Sequence, residues 1–244
     1  MQQGIQQSAP TALRPARDRR ILDSLISRLP PFDRLSHDEV DELAAYANLR
    51  THRRGATIAP RGELLPGVLA LADGSAKITL RRSNGEERVA RILERGDSFG
   101  FAAVLLERAS PVDVVALANC VVATIPSLPV LQLMGRNAGF ANAMARTLAG
   151  RVLELVGELE ASAQHSGLQR LACYLDSRAA PADGAWRVHL PATKSTIAAR
   201  LGVKKETMSR LLRQLAARGL VEVAGPDIAI LDRAGLAALA AGRA

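Results

Sequence analysis

Two consecutive amphipathic patterns in the stretch ATKSTIAARLGVKKETMSRLLRQLAARGL, residues 192–220, leave few folds open to this chain. In the first, Ile197 and Leu201 mark a buried helix face, and Gly202 follows where a tight turn between helices requires a positive φ. The second has apolar residues at i, i+3, i+4 and i+7, which share one side of a helix. These are Met208, Leu211, Leu212 and Leu215. The stretch predicts a helix, a turn of about four residues and a second helix.

The opposite face of the second helix is polar, with Glu206, Ser209, Arg210 and Arg213 grouped together at 100° per residue. In a DNA-binding helix-turn-helix, the second helix enters the major groove with its N-terminal residues against base edges. Arginine offers a fork to guanine, glutamate accepts a hydrogen bond from cytosine, and serine can donate or accept. We therefore predict that Glu206, Ser209 and Arg210 read bases.

Lys204 and Lys205 stand at the start of that helix, where a cation opposes the macrodipole at a cost of about 0.3–1 kcal/mol each. Backbone phosphates of DNA would reverse this unfavourable interaction. Solvated surface charge is the alternative interpretation for any single lysine. The predicted phosphate contacts are Thr193, Lys194, Ser195, Lys204, Lys205, Thr207 and Arg213.

The charge distribution agrees with a polyanionic partner. The chain of 244 residues has a formal net charge of +8, and residues 165–244 hold 12 basic and 6 acidic side chains, net +6. Three of the four lysines fall within twelve positions of one another in that region. A local anion-binding surface requires such a concentration of positive charge.

The rest of the chain predicts a second core. From Leu49 to Ile125, short aliphatic and β-branched runs alternate with turn residues at intervals near ten, which is typical of an antiparallel β-roll. The stretch KITLRRSNGEERVARIL predicts a hairpin, and Ser36 with Glu39 predicts a capped helix. A second hairpin, LVEVAGPDIAIL, follows the two helices near the C terminus and supplies the wing. The fold class is therefore α+β: a β-roll like that of cyclic-nucleotide-binding domains, a long helix and a winged helix-turn-helix.

The long helix, residues 138–164, carries an apolar stripe that suits a partner helix in a homodimer. Burial against its own domain explains the same stripe almost as well. The stripe residues are Met144, Leu148, Val152, Leu155 and Leu159. We divide the chain into a disordered basic arm (1–20), a β-roll sensor (21–137), a dimerisation helix (138–164) and a winged helix-turn-helix (165–244). With no signal-peptide pattern and no window of eighteen apolar residues, we expect a cytoplasmic protein without membrane contact.

At this point the order of elements and the stretch IAARLGVKKETMSRLLRQLAARGLV resemble bacterial transcription regulators of the Crp–Fnr family over roughly residues 25–235. In that family, Glu and Ser-Arg spaced as Glu206, Ser209 and Arg210 are the pattern of the fumarate-nitrate branch. The resemblance implies a two-fold dimer on a palindrome of the type TTGAT-N4-ATCAA. In activators of the family the loop before the wing strand touches RNA polymerase, and residues 180–185 are the matching stretch.

The sequence constrains the identity of the effector less than it constrains the DNA-binding residues. ERGDSFG resembles the turn before the family's phosphate-binding cassette, which places the candidate effector pocket at Ser98, Phe99, Gly100 and Phe101. Cyclic-AMP-binding members have a Glu soon after that Gly and an Arg-Ser or Arg-Thr pair further on. This chain has Phe101 and then SPVDVV from Ser110, so cyclic AMP is not expected.

The cysteine and histidine residues of the chain limit which other effectors of the family it could bind. The iron-sulfur branch needs four cysteine ligands, and this chain has two, so we expect no iron-sulfur cluster. Similarity to the Dnr-like subgroup makes haem possible, with His37 or His52 as a ligand. A cyclic dinucleotide, or no ligand, stays open, and no other metal site is predicted.

Three classes of function compete. The leading interpretation is a transcription regulator that is not an enzyme. The alternative is a β-roll regulatory module that binds a small molecule without sequence-specific DNA binding. An enzyme has no support, because the sequence contains no zinc-protease, nucleophile-elbow or P-loop motif.

Overall fold

A computed structural model of the chain describes residues 16–81, 87–182 and 184–243. The helices are α1 (Ala16–Ile26), α2 (His37–Tyr46), α3 (Phe101–Leu105), α4 (Ser127–Arg136), α5 (Ala138–Gln164), α6 (Gly167–Arg178), α7 (Lys194–Arg200), α8 (Lys205–Ala217) and α9 (Arg233–Ala240). The strands are β1 (Asn48–His52), β2 (Thr57–Ala59), β3 (Gly67–Asp73), β4 (Ala76–Arg81), β5 (Glu87–Leu93), β6 (Ser98–Phe99), β7 (Asp113–Ala116), β8 (Cys120–Pro126), β9 (Ala180–Ala182), β10 (Ala185–His189), β11 (Val221–Ala224) and β12 (Asp227–Ile230). This mixture confirms the α+β class.

The chain forms two compact units, which divide inside α5 between Val152 and Leu153. The segment Thr79–Ile92 groups with the second unit. The division falls within the long helix that the sequence predicts as a separate element. Each unit is described below by itself.

Two antiparallel sheets form the predicted β-roll, with strand orders β1-β8-β3-β6 and β2-β7-β4-β5. Alternate side chains point into the roll, as in β7, where Val114 and Ala116 are buried and their neighbours are half-buried. The predicted hairpin corresponds to β4 and β5, and its Asn84-Gly85 turn lies outside the described residues. The sequence pattern did not predict α3, which interrupts the strands after Gly100.

Helices pack on the outside of the roll, and their apolar side chains form one cluster with residues of its strands. This cluster includes Leu22 and Ile26 from α1, Leu43 from α2, and Phe140 and Met144 from α5. The prediction that residues 1–20 are a disordered arm is wrong for 16–20, which are helical because Leu22 and Ile26 anchor α1 in the core. The remainder of the arm lies outside the described residues.

The predicted cap of α2 is confirmed. Ser36 Oγ accepts a hydrogen bond from Glu39 N at 3.4 Å, and Ser36 N donates to Glu39 Oε2 at 2.9 Å. The latter bond is the main cause that lowers the pKa of Glu39, followed by the side-chain hydrogen bond from Asn137. Because the folded-state pKa is lowered, this stabilisation is present above the ordinary pKa of the carboxyl group and is lost as pH falls.

Ser36→Ala is expected to lower the free energy of unfolding by about 1 kcal/mol, because it removes an N-cap acceptor. Urea denaturation at neutral pH measures the change. Ser24→Ala, at an exposed position inside α1, is the control and is expected to cause no loss. Equal stability of the Ser36 variant and the unaltered protein would contradict the capping role.

The second unit has its own core, formed by α6, α7, α8 and α9 with the sheet β11-β12-β10-β9. The apolar face predicted for α8 is buried, which confirms the second amphipathic pattern. The sequence predicts a loop at residues 180–185, but Ala180–Ala182 form an edge strand beside β10. Backbone pairing with β10 explains the difference, since this short alanine-proline segment has no alternating apolar pattern.

Candidate functional site

The polar face of α8 is exposed, as the sequence predicts. Glu206, Ser209 and Arg210 are exposed side chains on the first two turns, while Met208 on the other side is fully buried. Packing of the apolar face therefore fixes which side of the helix meets the solvent. The structure brings the three predicted base-reading groups together on that side.

Hydrogen bonds along α8 hold part of this face in place. Ser209 Oγ donates to the Lys205 carbonyl oxygen at 3.3 Å, which leaves the hydroxyl lone pairs available as acceptors. Arg213 Nε donates to the Ser209 carbonyl oxygen at 3.4 Å. Within the described part of the chain, the side chains of Glu206 and Arg210 form no hydrogen bond or ion pair. Their polar atoms can therefore bind an external partner.

Cationic and hydroxyl groups surround the beginnings of α7 and α8. Lys204 is the N-cap of α8 and its side chain makes no capping hydrogen bond, so the first backbone N–H groups of the helix have no side-chain acceptor there. Lys205 is exposed beside it, and Thr207 is half-buried. This arrangement suits an incoming anion.

The start of α7 differs in one respect from the prediction. Ser195 is exposed and Lys194 is half-buried, but Thr193 is the N-cap residue, and its Oγ1 accepts a hydrogen bond from Thr196 N at 3.3 Å. The Thr193 hydroxyl therefore already has a structural role. Its contact with phosphate stays a prediction.

The turn between α7 and α8 is fixed by Gly202 and by Arg170. Gly202 has a φ of 67°, a backbone conformation that other residues rarely adopt. Arg170 donates hydrogen bonds to the Leu201 carbonyl oxygen at 2.9 Å and to the His165 carbonyl oxygen at 2.5 Å. Sequence reasoning missed Arg170, because its acceptors are backbone atoms that no side-chain pattern reveals.

An ion pair connects α7 to the second half of α5. Arg200 Nη2 lies 2.7 Å from Glu158 Oε1, and both side chains are about two-thirds or more buried. A partly buried pair of this kind holds two helices in a defined orientation. No local pattern indicates it in advance, since 42 positions separate the two residues.

The apolar stripe predicted on α5 follows one side of the helix, but it is buried in the first half of the helix and exposed in the second. Met144 is fully buried against the core of the first unit, so assigning it to a dimer seam is wrong. Leu148 is half-buried against the same core, and its place in the seam stays a prediction. Val152, Leu155 and Leu159 are exposed by 59%, 43% and 69%. The exposed residues that follow alternating steps of four and three are Ala145, Ala149, Val152, Val156, Leu159 and Ala163. We call this set the α5 seam.

A cavity of about 160 Å³ lies in the β-roll, in the region where the sequence predicts an effector pocket. Phe99 and Gly100 line it, but Ser98 and Phe101 do not. Phe101 packs in the neighbouring core, with its ring centroid 6.1 Å from that of Phe32. The full lining is Ala59, Leu65, Ile78, Phe99, Gly100, Ala102, Ala103, Ser110, Pro111, Val112 and Val114.

The lining does not fit a cyclic nucleotide. The described residues that line the cavity include no charged side chain, so no cation would meet a cyclic phosphate. The most polar group is the Ser110 hydroxyl, which is buried and donates to the Val112 carbonyl oxygen at 2.8 Å. A phosphate anion against this lining would meet no side chain of opposite charge.

The residues present also do not fit a haem in this cavity. His37 begins α2 with 85% of its side chain exposed and lies 3.8 Å from Asp41. His52 ends β1, and burial, followed by the charge of Arg50, lowers its pKa. Neither histidine lines the cavity. Among the described residues, no group of three or more His, Cys, Asp or Glu side chains is arranged to hold a metal ion.

The helices that the structure describes include none with the length and apolar character needed to cross a membrane.

Comparison with known proteins identifies the family to which the chain belongs. Residues 169–239 match the Crp-like helix-turn-helix domain, and residues 49–137 match the cyclic nucleotide-binding domain. The chain is 26% identical to the cyclic AMP receptor protein of Thermus thermophilus over 88% of its length and 98% of that protein. It is 28% identical to the fumarate and nitrate reduction regulatory protein of Salmonella typhimurium, over 89% of both chains.

A solved structure agrees with these relatives. A protein from Ruegeria pomeroyi DSS-3, described as a candidate cyclic nucleotide binding protein, is 31% identical, with a TM-score of 0.62 over 91% of this chain and 98% of that one. The two domain matches and their order agree with one group of proteins. The chain belongs to the Crp–Fnr family of DNA-binding transcription regulators.

Proposed function

We propose that the protein is a homodimer that binds palindromes of the type TTGAT-N4-ATCAA in the cytoplasm and that a signal sensed by the β-roll controls this binding. The observation that carries the proposal is the joint exposure of Glu206, Ser209 and Arg210 on α8. Arginine paired with guanine, glutamate with cytosine and serine with either base are the contacts that such a helix makes in the major groove.

The α5 seam supports the dimer. A series of apolar residues in alternating steps of four and three is the pattern of a two-stranded coiled coil, in which Val156 and Leu159 occupy the two kinds of core position. Their exposure by 54% and 69% in the single chain leaves them available to a second copy. A two-fold pair would place two α8 helices about 34 Å apart, in successive major grooves.

Coupling between the dimer helix and the reading helix has a physical route within the second unit. The pair Arg200–Glu158 joins α7 to α5, and Arg170 joins the α7–α8 turn to the end of α5. A shift of the second half of α5 would therefore move the helix-turn-helix with it. Affinity for the palindrome would change because the spacing of the two α8 helices must match the groove spacing.

Activation would involve RNA polymerase at residues 180–185. Ala180 and Pro181 are exposed on β9, the edge strand of the wing sheet, so a partner protein can reach them. This contact is part of the proposal and rests on the family resemblance of the segment.

Binding of a labelled TTGAT palindrome, compared with a scrambled duplex of the same length at several salt concentrations, tests the proposed function. The expected result is preference for the palindrome by a factor of about 10³ or more, typical of specific recognition. Equal affinity for both duplexes would refute sequence-specific reading. It would favour the alternative, a β-roll module that acts without specific DNA binding.

The double substitution Lys204→Ala and Lys205→Ala is expected to weaken binding to both duplexes to a similar degree, because phosphate contacts carry no sequence information. The slope of log K against log salt should fall by about 0.9 for each phosphate that is no longer neutralised. Fluorescence anisotropy across a salt series measures the slope. Lys77→Ala, on β4, is the matched control and should leave the slope unchanged; an unchanged slope in the double variant would contradict the phosphate contacts.

A further inference from the structure

We propose that the β-roll cavity binds a small, uncharged and mainly apolar molecule about the size of one benzene ring. The proposal rests on the proposed function in one respect, that the β-roll is the sensing domain. It goes further by naming the chemical class of the effector. The domain match alone would indicate a cyclic nucleotide.

The lining defines the chemistry of the ligand. Its residues are aliphatic, aromatic, proline or glycine, with Ser110 as the one hydroxyl side chain among them. Ser110 is 4% exposed, and its hydroxyl hydrogen is already donated to the Val112 carbonyl oxygen. Val112 N donates to Ser110 Oγ at 3.4 Å, and the remaining lone pair of Oγ is the polar contact that the side chains of the lining offer to a hydroxyl or N–H group of a ligand.

The side chains of the lining favour an uncharged ligand. Moving a carboxylate, phosphate or ammonium group into apolar surroundings without a partner is strongly unfavourable. Asp113 lies in the strand beside the cavity, but its Oδ1 accepts a hydrogen bond from Arg61 N at 2.9 Å and Asp113 does not line the cavity. A ligand ion would therefore gain no counter-charge from the side chains of the lining.

The cavity is open to solvent beside the exposed residues Ala102 and Pro111, and its volume favours a small ligand. Cavities for drug-sized ligands have volumes of roughly 300–1,000 Å³. The cavity here has about 160 Å³, and an engineered apolar protein cavity of about 150 Å³ binds benzene or xenon. A monocyclic aromatic molecule or a short hydrocarbon matches this volume.

The walls are held in place by the backbone. Ser110 N donates to the Glu63 carbonyl oxygen and Gly62 N donates to the Ser110 carbonyl oxygen, each at 2.8 Å. Gly100, at φ 91°, has no Cβ, and a Cβ there would lie 2.8 Å from Leu65 Cδ1. Glycine therefore allows Leu65 to line the cavity beside α3. These contacts indicate a pre-formed site, as small-molecule sites usually are.

A set of ligands with one ring and different charge tests the proposal on the full chain. Toluene and benzyl alcohol are expected to bind, as measured by saturation-transfer NMR and by calorimetry. Benzoate, benzylammonium and cyclic AMP should bind more weakly by about tenfold or more, which corresponds to about 1.4 kcal/mol. Intermolecular NOEs from toluene to the methyl groups of Val112 and Val114 locate the ligand in the unaltered protein.

Ala103→Phe fills the cavity from α3 and is expected to lower the affinity for toluene by about tenfold or more. Ala45→Phe, at an exposed position on α2 that does not line the cavity, is the matched control and should bind like the unaltered protein. The NOEs keep the test independent of how well the Ala103 variant folds.

The proposal is overturned if cyclic AMP or benzoate binds better than toluene, if none of these molecules binds, or if toluene shows NOEs only to residues elsewhere. Binding to the palindrome is measured without ligand on the same preparations. Palindrome binding without toluene binding would refute the effector class alone. Toluene binding without palindrome binding would refute the proposed function alone.

Discussion

Arg210→Ala is expected to reduce affinity for the TTGAT palindrome by about 1–3 kcal/mol for each half-site, or roughly 5- to 150-fold. Arg210 is exposed near the start of α8, where the side chains of a recognition helix meet base edges. Loss of its guanidinium removes a two-pronged hydrogen bond to guanine. Anisotropy titrations with the palindrome and the scrambled duplex measure the change.

Comparing the affinities for the two duplexes separates base reading by Arg210 from the effect of its positive charge. The affinity for the scrambled duplex should fall little, since the substitution removes at most one cation near a phosphate. Arg218→Ala is the matched control, because Arg218 is also an exposed arginine and caps the other end of α8, about 12 Å further along a helix that rises 1.5 Å per residue. A similar loss of affinity in both variants, or an equal loss on both duplexes, would contradict base reading by Arg210.

Local periodicity explains which parts of the site could be predicted from the sequence. The apolar positions of α8 repeat within two turns, so Met208 and Leu215 define the buried side, and Arg210 falls on the exposed side by geometry alone. The same holds for the Ser36 cap, whose two partners are three residues apart. Interactions between residues only a few positions apart in the sequence can be predicted from residue types and spacing.

Long-range packing explains what the sequence did not reveal. Met144 and Val156 are both apolar residues of α5, but only Met144 meets the core formed by residues such as Leu133, which the helix pattern by itself does not indicate. The cavity depends on segments from Ala59 to Val114 that come together only in the folded roll. The local signal that located part of its wall was the stretch ERGDSFG, which contains Phe99 and Gly100.

Val156→Asp is expected to convert the proposed dimer into monomers. In a two-fold pair, equivalent core positions of the two α5 helices face each other, so the substitution places two carboxylates together. It also removes burial of two valine side chains, worth about 1.5–3 kcal/mol each. The dimer dissociation constant should rise by about a hundredfold or more. Sedimentation equilibrium over a range of protein concentrations measures it.

Leu128→Asp separates an effect on the seam from a general effect of an added charge. Leu128 on α4 is 53% exposed and Val156 is 54% exposed, so each carboxylate is accommodated in the single chain to a similar degree. The Leu128 variant should stay dimeric and bind the palindrome normally. The Val156 variant should retain its helical circular dichroism, become monomeric and lose most of its affinity for the palindrome, because one α8 helix reads only one half-site. A Val156 variant that remains dimeric would place the dimer contact on another surface of the chain.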